Sequence, residues 1–260
     1  MGCQSATFQQ PGRKNHLVPP LLTMIWMSKT SSYKYYTGDN MKRVIILNAS
    51  PRKNFNTAKM LKEAQKGAES VGAEVEYYDL YNYNFLGCRS CFACQRKGST
   101  TEGICAIKDD IKPILEKCLN ADAIIIGTPV YFSYPTGVFR SFMERLLFPN
   151  HTYMVDKENG GLKRRLDKTI PTGIIFTMNC PESMAKDVNY PALLGENVNV
   201  FNHIMGHAEV LCAYDTYQFA DYSKYNIDLF EESEKAKVRD EQFPKDLEKA
   251  FDLGKRLVEM

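Results

Sequence analysis

The chain has 260 residues, of which 44% are hydrophobic and 25% charged, as is ordinary for a globular protein. Its formal net charge is only +2, so composition gives no electrostatic reason to expect a nucleic acid or an anionic membrane as partner. No apolar run approaches the roughly 20 residues that span a bilayer. We therefore expect no nucleic-acid and no membrane partner.

Residues 1–40 differ in composition from the rest of the chain. They mix Gln, Ser, Thr and Pro with a short apolar patch that contains Pro19 and Pro20. The patch lies deep in the segment and lacks the cleavage pattern of an export signal. We expect a disordered N-terminal extension here, followed by one folded domain over 41–260. An arm that packs on a partner subunit is the alternative.

From residue 43 onward, strand patterns alternate with helical patterns. Short apolar runs predict buried strands, and apolar residues at helical spacing predict helices. The strands are expected at 44–47, 74–80, 123–127, 172–177 and 208–213, and the helices at 56–71, 110–120, 137–147, 190–205 and 244–258. This alternation predicts an α/β fold: a doubly wound five-stranded parallel sheet, order 2-1-3-4-5, with helices on both faces. The loops after strands one, three and four should then converge on one site.

The loop after the first strand is rich in short polar and basic side chains. Ser50, Asn56 and Thr57 can donate hydrogen bonds, and Arg52 and Lys53 add positive charge. We expect Asn56 or Thr57 to cap the next helix, whose first N–H groups attract an anion. The loop thus predicts a cradle for a terminal phosphate. An ordinary helix cap followed by solvated basic residues is the alternative.

The loop after the third strand, residues 127–137, combines two prolines with three aromatic side chains. The prolines fix an irregular backbone, and Tyr131, Phe132 and Tyr134 put rings beside it. A flat, apolar isoalloxazine ring needs such a surface, with backbone amides at its polar edge. The loop therefore predicts a flavin site, and an aromatic loop that fills the core is the alternative.

Together these motifs resemble the NADPH-dependent FMN reductase group of flavodoxin-like proteins, and its iron–sulfur flavoprotein branch in particular. The resemblance covers roughly residues 41–260. It is carried by Ser50-Pro51-Arg52, Asn56-Thr57, Thr128-Pro129-Val130-Tyr131-Phe132, Gly137 and Phe142-Met143-Glu144-Arg145. It implies a flavodoxin-like fold with bound FMN. We expect Glu144 and Arg145 to form an ion pair on their helix.

The resemblance also implies which residues hold FMN. The phosphate contacts are expected from Ser50, Arg52, Asn56 and Thr57. The ring contacts are expected from Pro129, Val130, Tyr131, Phe132 and Ser133, and the far side of the ring from Thr177, Met178 and Asn179. No catalytic side chain is assigned, because FMN carries the chemistry while Tyr131 and Asn179 orient it.

Four of the 8 cysteines cluster with the spacing C-x2-C-x2-C-x10-C: Cys88, Cys91, Cys94 and Cys105. Thiols at this spacing can face one point, as in Fe–S sites. The resemblance implies a cluster at this place, although the last gap is longer than in that family. Its insert, 95–104, is polar and flexible enough to loop out. Three interpretations stay open: a [4Fe–4S] cluster, a zinc site, or reduced thiols that cover the flavin or pack at a dimer interface.

We expect an oxidoreductase that passes electrons from NAD(P)H through FMN to a quinone, free flavin, nitro or azo compound, or metal ion. The alternative is an electron-transfer flavoprotein with FMN and a [4Fe–4S] cluster, reduced by a protein partner such as ferredoxin. The resemblance implies a homo-dimer or tetramer, and the tyrosine-rich stretch 214–225 is a lid or a subunit contact. Clustered thiols without an export signal indicate a cytoplasmic protein.

Overall fold

The computed structural model describes residues 41–158 and 160–260, so the expectation of disorder for 1–40 lies outside the described residues. Five strands form a parallel sheet in the order β2-β1-β3-β5-β6, which confirms the predicted order. A short strand β4 pairs antiparallel with the end of β3 and was not predicted. The strands are β1 Arg43–Asn48, β2 Glu74–Asp79, β3 Ala123–Tyr131, β4 Tyr134–Pro135, β5 Thr172–Thr177 and β6 Ala208–Ala213.

Helices cover both faces of the sheet. They are α1 Asn56–Ser70, α2 Lys112–Asn120, α3 Gly137–Leu147, α4 Glu182–Asp187, α5 Tyr190–Met205, α6 Glu232–Lys237 and α7 Phe243–Glu259. Because strand side chains alternate between faces, Val44 and Ile46 of β1 join one apolar cluster while Ile45 and Leu47 join the other. The first cluster lies under α1 and α7, and the second under α2, α3 and α5. Within the described part of the chain, no helix combines the length and apolarity needed to cross a membrane.

Two glycines allow α1 and α7 to pack closely. A Cβ atom on Gly254 of α7 would lie 1.9 Å from the carbonyl oxygen of Ala64 in α1. A Cβ atom on Gly67 of α1 would lie 1.9 Å from the carbonyl oxygen of Phe251. No side chain fits at such distances. The two helix backbones therefore touch directly at Gly254 and Gly67, where only glycine is tolerated.

The end of β3 is longer and more strained than the sequence pattern predicts. The strand runs on through Pro129 and Val130 to Tyr131 and then turns back into β4. The two turn residues, Phe132 and Ser133, have positive φ angles of 50° and 73°. This backbone is that of a two-residue hairpin turn, which normally selects Asn and Gly. A left-handed backbone conformation costs energy in residues other than Gly and Asn, and such strained positions concentrate at functional sites. The turn at Phe132 and Ser133 lies beside the carboxyl edge of the sheet.

Candidate functional site

The carboxyl ends of β1, β3 and β5 meet at one open cleft. It encloses about 540 Å³ including its mouth, within the range of small-molecule sites. The residues that line it are Ser50, Arg52, Phe55, Asn56, Thr57, Pro129, Val130, Tyr131, Thr177, Met178, Asn179, Thr216 and Gln218. The structure thus brings together all the residues predicted to hold FMN except Phe132 and Ser133. Phe55, Thr216 and Gln218 line the cleft as well.

At one end of the cleft lies the start of α1. The helix cap is Phe55, and none of the described side chains caps it, so the expectation that Asn56 or Thr57 would do so is wrong. Asn56 instead donates from Nδ2 to the carbonyl of Tyr217 at 2.9 Å, and the hydroxyls of Thr57 and Thr177 lie 2.7 Å apart. Both side chains thus hold neighbouring segments in place. The first N–H groups of α1 are left for an external acceptor, and an anion such as a phosphate fits them.

The loop before α1 places a positive charge at this end. Ser50 is buried; its amide donates to Asn48 Oδ1 at 3.0 Å, and its Oγ accepts from the Arg52 amide at 3.1 Å. The Arg52 guanidinium donates to the carbonyl of Gln218 at 2.7 Å and lies 3.4 Å from the centre of the Phe55 ring. These contacts hold the guanidinium at the rim of the cleft, where it complements a bound anion.

The other end of the cleft has an apolar wall with a polar edge. Pro129, Val130 and Tyr131 form one side, and the residues after β5 form the other. Asn179 Oδ1 is buried here and has no hydrogen-bond partner among the described residues. Burial raises the pKa of the Tyr131 phenol, which therefore stays protonated and able to donate. An unpartnered buried acceptor is costly unless a ligand pairs with it, and a flavin ring carries such an N–H group at its edge.

A network beneath this end fixes the loop that carries Asn179. The amide and hydroxyl of Thr216 both donate to the carbonyl of Met178, at 2.9 and 3.1 Å. Lys235 of α6 is buried and donates both to the carbonyl of Asn179 and to the carboxylate of Asp215. Burial lowers the pKa of Lys235, although Asp215 opposes the shift. These contacts leave no signal in the sequence, because Lys235 stands in a Glu- and Lys-rich stretch that has the composition of a solvated face.

Phe132 and Ser133 do not line the cleft. Phe132 is 99% exposed at the tip of the β3–β4 hairpin, where its ring points into solvent. Tyr131 is 46% exposed and Tyr134 55%, so the hairpin presents an aromatic surface beside the cleft. Neither Phe132 nor Ser133 is among the residues that line the cleft, and their predicted contact with the flavin ring stays a prediction.

The four clustered cysteines line one small cavity beside α3. Cys88, Cys91, Cys94 and Cys105 all border it, yet no three acidic, His or Cys side chains of the described residues form a metal site. Burial, with the neighbouring Cys105 thiol, raises the pKa of Cys94 and favours its protonated form. The donor chemistry suits a metal cluster, but the thiols are not arranged as ligands. The residues present therefore do not form a preassembled cluster site.

Arg145 holds this cysteine loop against α3. Its side chain is 1% exposed and donates to both carboxylate oxygens of Asp109, at 2.8 and 3.0 Å, and to Cys105 Sγ at 2.8 Å. The predicted ion pair between Glu144 and Arg145 is wrong, because adjacent helical residues point in different directions. Glu144 pairs instead with Arg140, four residues earlier.

The insert 95–104 is anchored rather than looped out. Gln95 Nε2 donates to the carbonyl of Phe148 at 2.7 Å, and Arg165 donates to Glu102 at 2.6 Å. The amide of Gly103 donates to the carbonyl of Cys94 at 3.1 Å, which folds the insert back on the cysteine run. The longer spacing before Cys105 is thus taken up by a segment that hydrogen bonds tie to the rest of the domain.

Comparison with solved structures shows which fold this is. An NAD(P)H:quinone oxidoreductase from Methanothermobacter marburgensis superposes with a TM-score of 0.57 at 18% identity, covering 84% of this chain and 98% of that one. An azoreductase from Bacillus anthracis gives 0.56 at 13% identity, covering 83% and 100%. At such low identities the likeness extends to the fold alone, which is flavodoxin-like.

Sequence comparison adds a similarity to known families. Residues 42–160 match NADPH-dependent FMN reductase. An iron–sulfur flavoprotein of Archaeoglobus fulgidus is 37% identical over 103 residues, 40% of this chain and 48% of the relative. One of Methanocaldococcus jannaschii is 35% identical over 40% of this chain and 51% of the relative. The chain spans about half the length of the curated relatives it matches. Through residues 42–160 the chain is thus similar to the NADPH-dependent FMN reductase family.

Proposed function

We propose that the chain is an FMN-dependent oxidoreductase that takes electrons from NAD(P)H and passes them to a small acceptor. One observation carries the proposal. A single cleft has an uncapped helix start with Arg52 at one end, and an apolar wall with the unpartnered Asn179 acceptor at the other. These two ends match the phosphate and the ring of FMN.

The chain's own residues bind and orient the cofactor. Ser50, Asn56 and Thr57, with the first amides of α1, bind the phosphate, and Arg52 offsets its charge. Asn179 Oδ1 accepts from the edge of the ring, and Lys235 holds the backbone that carries this side chain. When bound, FMN supplies the two-electron chemistry that links the donor to the acceptor.

The lining of the cleft accords with cofactor chemistry. None of the described residues that line it is Asp, Glu or His, so the cleft offers no carboxylate or imidazole as a general acid or base. Pro129 and Val130 on one side of the cleft, and Thr177 and Met178 on the other, instead shield a flat ligand from water. The open mouth leaves room for a donor to stack, and a quinone, a free flavin or a nitro or azo compound could then take its place.

A second candidate function is electron transfer through FMN and a [4Fe–4S] cluster, with a protein donor such as ferredoxin. Its support is that four cysteines border one cavity and that the curated relatives are named iron–sulfur flavoproteins. In either case we expect a cytoplasmic homo-dimer or tetramer. The exposed aromatic hairpin at Tyr131 and Tyr134 is suited to a subunit contact.

Anaerobic stopped-flow mixing of the flavin-loaded protein with NADH or NADPH tests the first function against the second. Rapid bleaching of the flavin absorption band is the expected result. No bleaching by either nicotinamide, with reduction only by ferredoxin, would instead support the electron carrier. Iron and acid-labile sulfide, measured on the same anaerobic preparation, show whether a cluster is present.

A further inference from the structure

A second cleft lies beside the first at the start of α1. The two clefts share Phe55 and Asn56, so they meet at the phosphate end of the first cleft. The second cleft encloses about 550 Å³ including its mouth, which is the size of a small-molecule site. The function proposed above assigns it no ligand.

The second cleft has an aromatic lining in which one ring is fixed from behind. Phe219 stacks on Tyr225, with the ring centres 4.2 Å apart and 29° between the planes, and meets Tyr222 edge-on at 5.2 Å. Because Tyr225 covers only one face of the Phe219 ring, the other face remains for a ligand. A ring held in this way can stack on a planar ligand at little cost in side-chain freedom. The rings that line the cleft are those of Phe55, Tyr217, Phe219 and Phe243.

Two cations border the same cleft from different elements. Lys59 belongs to α1, and Arg239 to the π-helical turn Val238–Gln242, a kind of turn that is frequent at functional sites. The Arg239 guanidinium lies 4.6 Å from the centre of the Tyr217 ring. It also pairs with Asp240 at 2.7 Å, but both side chains are exposed, so a phosphate can compete for the guanidinium. None of the described residues that line the cleft is acidic.

The second cleft lies away from the ring end of the first. That end is formed by Pro129, Val130 and Asn179, and none of these three borders the second cleft. The segment 216–219 runs between the two clefts and is tied to the phosphate loop, because Asn56 donates to its second carbonyl at 2.9 Å. An occupant of the second cleft is therefore not placed to exchange electrons with a flavin ring in the first.

We propose that the second cleft binds a nucleoside phosphate as a ligand of its own, while FMN occupies the first cleft. The base stacks on Phe219, and the phosphate pairs with Lys59 and Arg239. A simple anion would leave the rings without a partner, and an uncharged aromatic molecule would leave the two cations without one. The inference goes beyond the proposed function, because it depends on neither the electron donor nor the acceptor.

Calorimetric titration of the FMN-loaded, full-length protein with AMP tests the proposal. We expect one AMP per chain with a Kd below about 1 mM, and at least about tenfold weaker binding of adenosine and of inorganic phosphate. Phe219→Ala should weaken AMP binding by about tenfold, through loss of one base stack. Arg239→Ala should also weaken AMP binding by about tenfold but leave adenosine within about twofold, because adenosine has no phosphate. Lys237→Ala is the matched control, since Lys237 is exposed two residues away, and it should alter neither affinity.

Other results would overturn the proposal. No saturation with AMP, or AMP binding that Phe219→Ala and Arg239→Ala both leave unchanged, would show that the second cleft does not hold a nucleoside phosphate. FMN would stay bound in that case, so the proposed function would be untouched. AMP should also leave the KM for NAD(P)H unchanged, and competition between them would assign the cleft to the electron donor instead. A wild type that does not retain FMN would refute the proposed function, whereas the two variants would still decide this inference through AMP binding.

Discussion

Replacing Arg145 with methionine tests how the cysteine loop is held. The guanidinium makes four hydrogen bonds of 3.0 Å or less, two to Asp109, one to Cys105 Sγ and one to the carbonyl of Leu86. Methionine fills much of the same volume but leaves these acceptors without a partner. Removing one member of a buried ion pair typically costs about 3–5 kcal/mol of unfolding free energy. Because the Asp109 side chain is 19% exposed and water can reach it, we expect about 3 kcal/mol.

The same helix provides the control. Arg140 pairs with Glu144 on the surface of α3, where the two side chains are 59% and 36% exposed. Arg140→Met should therefore lower the unfolding free energy by less than about 1 kcal/mol. Urea denaturation of the wild type and both variants gives the comparison. Adding Asp109→Leu to Arg145→Met should restore part of the loss, because the buried carboxylate is then removed. Equal losses for the two arginine variants would refute the reasoning.

Three further predictions concern packing, the cleft and pH. Gly254→Ala should lower the unfolding free energy by about 1–3 kcal/mol or more, because the new Cβ meets a backbone carbonyl of α1. Gly195→Ala, in open space on α5, should raise the unfolding free energy by about 0.5–1 kcal/mol. Thermal or urea unfolding measures both. In FMN titrations Asn179→Ala should weaken binding by about five- to tenfold for one lost hydrogen bond. Phe132→Ala removes an exposed ring outside the cleft and should weaken binding less, and the opposite order would contradict the site. The Arg256 guanidinium of α7 lowers the pKa of Glu209 below its ordinary value of 4.5. The contribution of this ion pair to the unfolding free energy is therefore complete above that pH and is lost as the pH falls through the native pKa. Glu209→Gln should therefore make the difference in unfolding free energy between neutral and acid pH smaller than in the wild type. An equal loss of unfolding free energy at acid pH in the variant and the wild type would contradict the pairing.

The parts of the fold with regular periodicity could be predicted from the sequence. Apolar runs of strand length and helical stripes located every strand of the parallel sheet, because burial on two faces leaves a clear pattern. The rule that parallel strands present their carboxyl ends to a ligand then brought the loops at Thr57, Pro129 and Thr177 to one cleft. Strand β4 lacked any signal, since two residues are too few for a period.

The rest of the site depends on contacts that leave no pattern in the sequence. Thr216 and Gln218 lie in the stretch 214–225, for which the composition left a lid and a subunit contact open. The segment has no regular structure, so its spacing does not indicate that Thr216 lines the cleft or that the Gln218 carbonyl accepts from Arg52. Phe132 is predicted as a flavin contact from its residue type, and its sequence neighbours do not indicate the two-residue turn that directs its ring into solvent. The anchor at Lys235 is tertiary, and its sequence neighbours are ordinary surface residues.

A crystal structure of the chain with bound FMN is the most direct test of the central claim. It should show the phosphate against the first turn of α1, within hydrogen-bonding distance of Ser50, Asn56 or Thr57. The ring should lie along Pro129 and Val130, with one of its N–H groups paired to Asn179 Oδ1. A flavin bound anywhere else, or crystals soaked to saturation that leave this cleft without flavin density, would contradict the account.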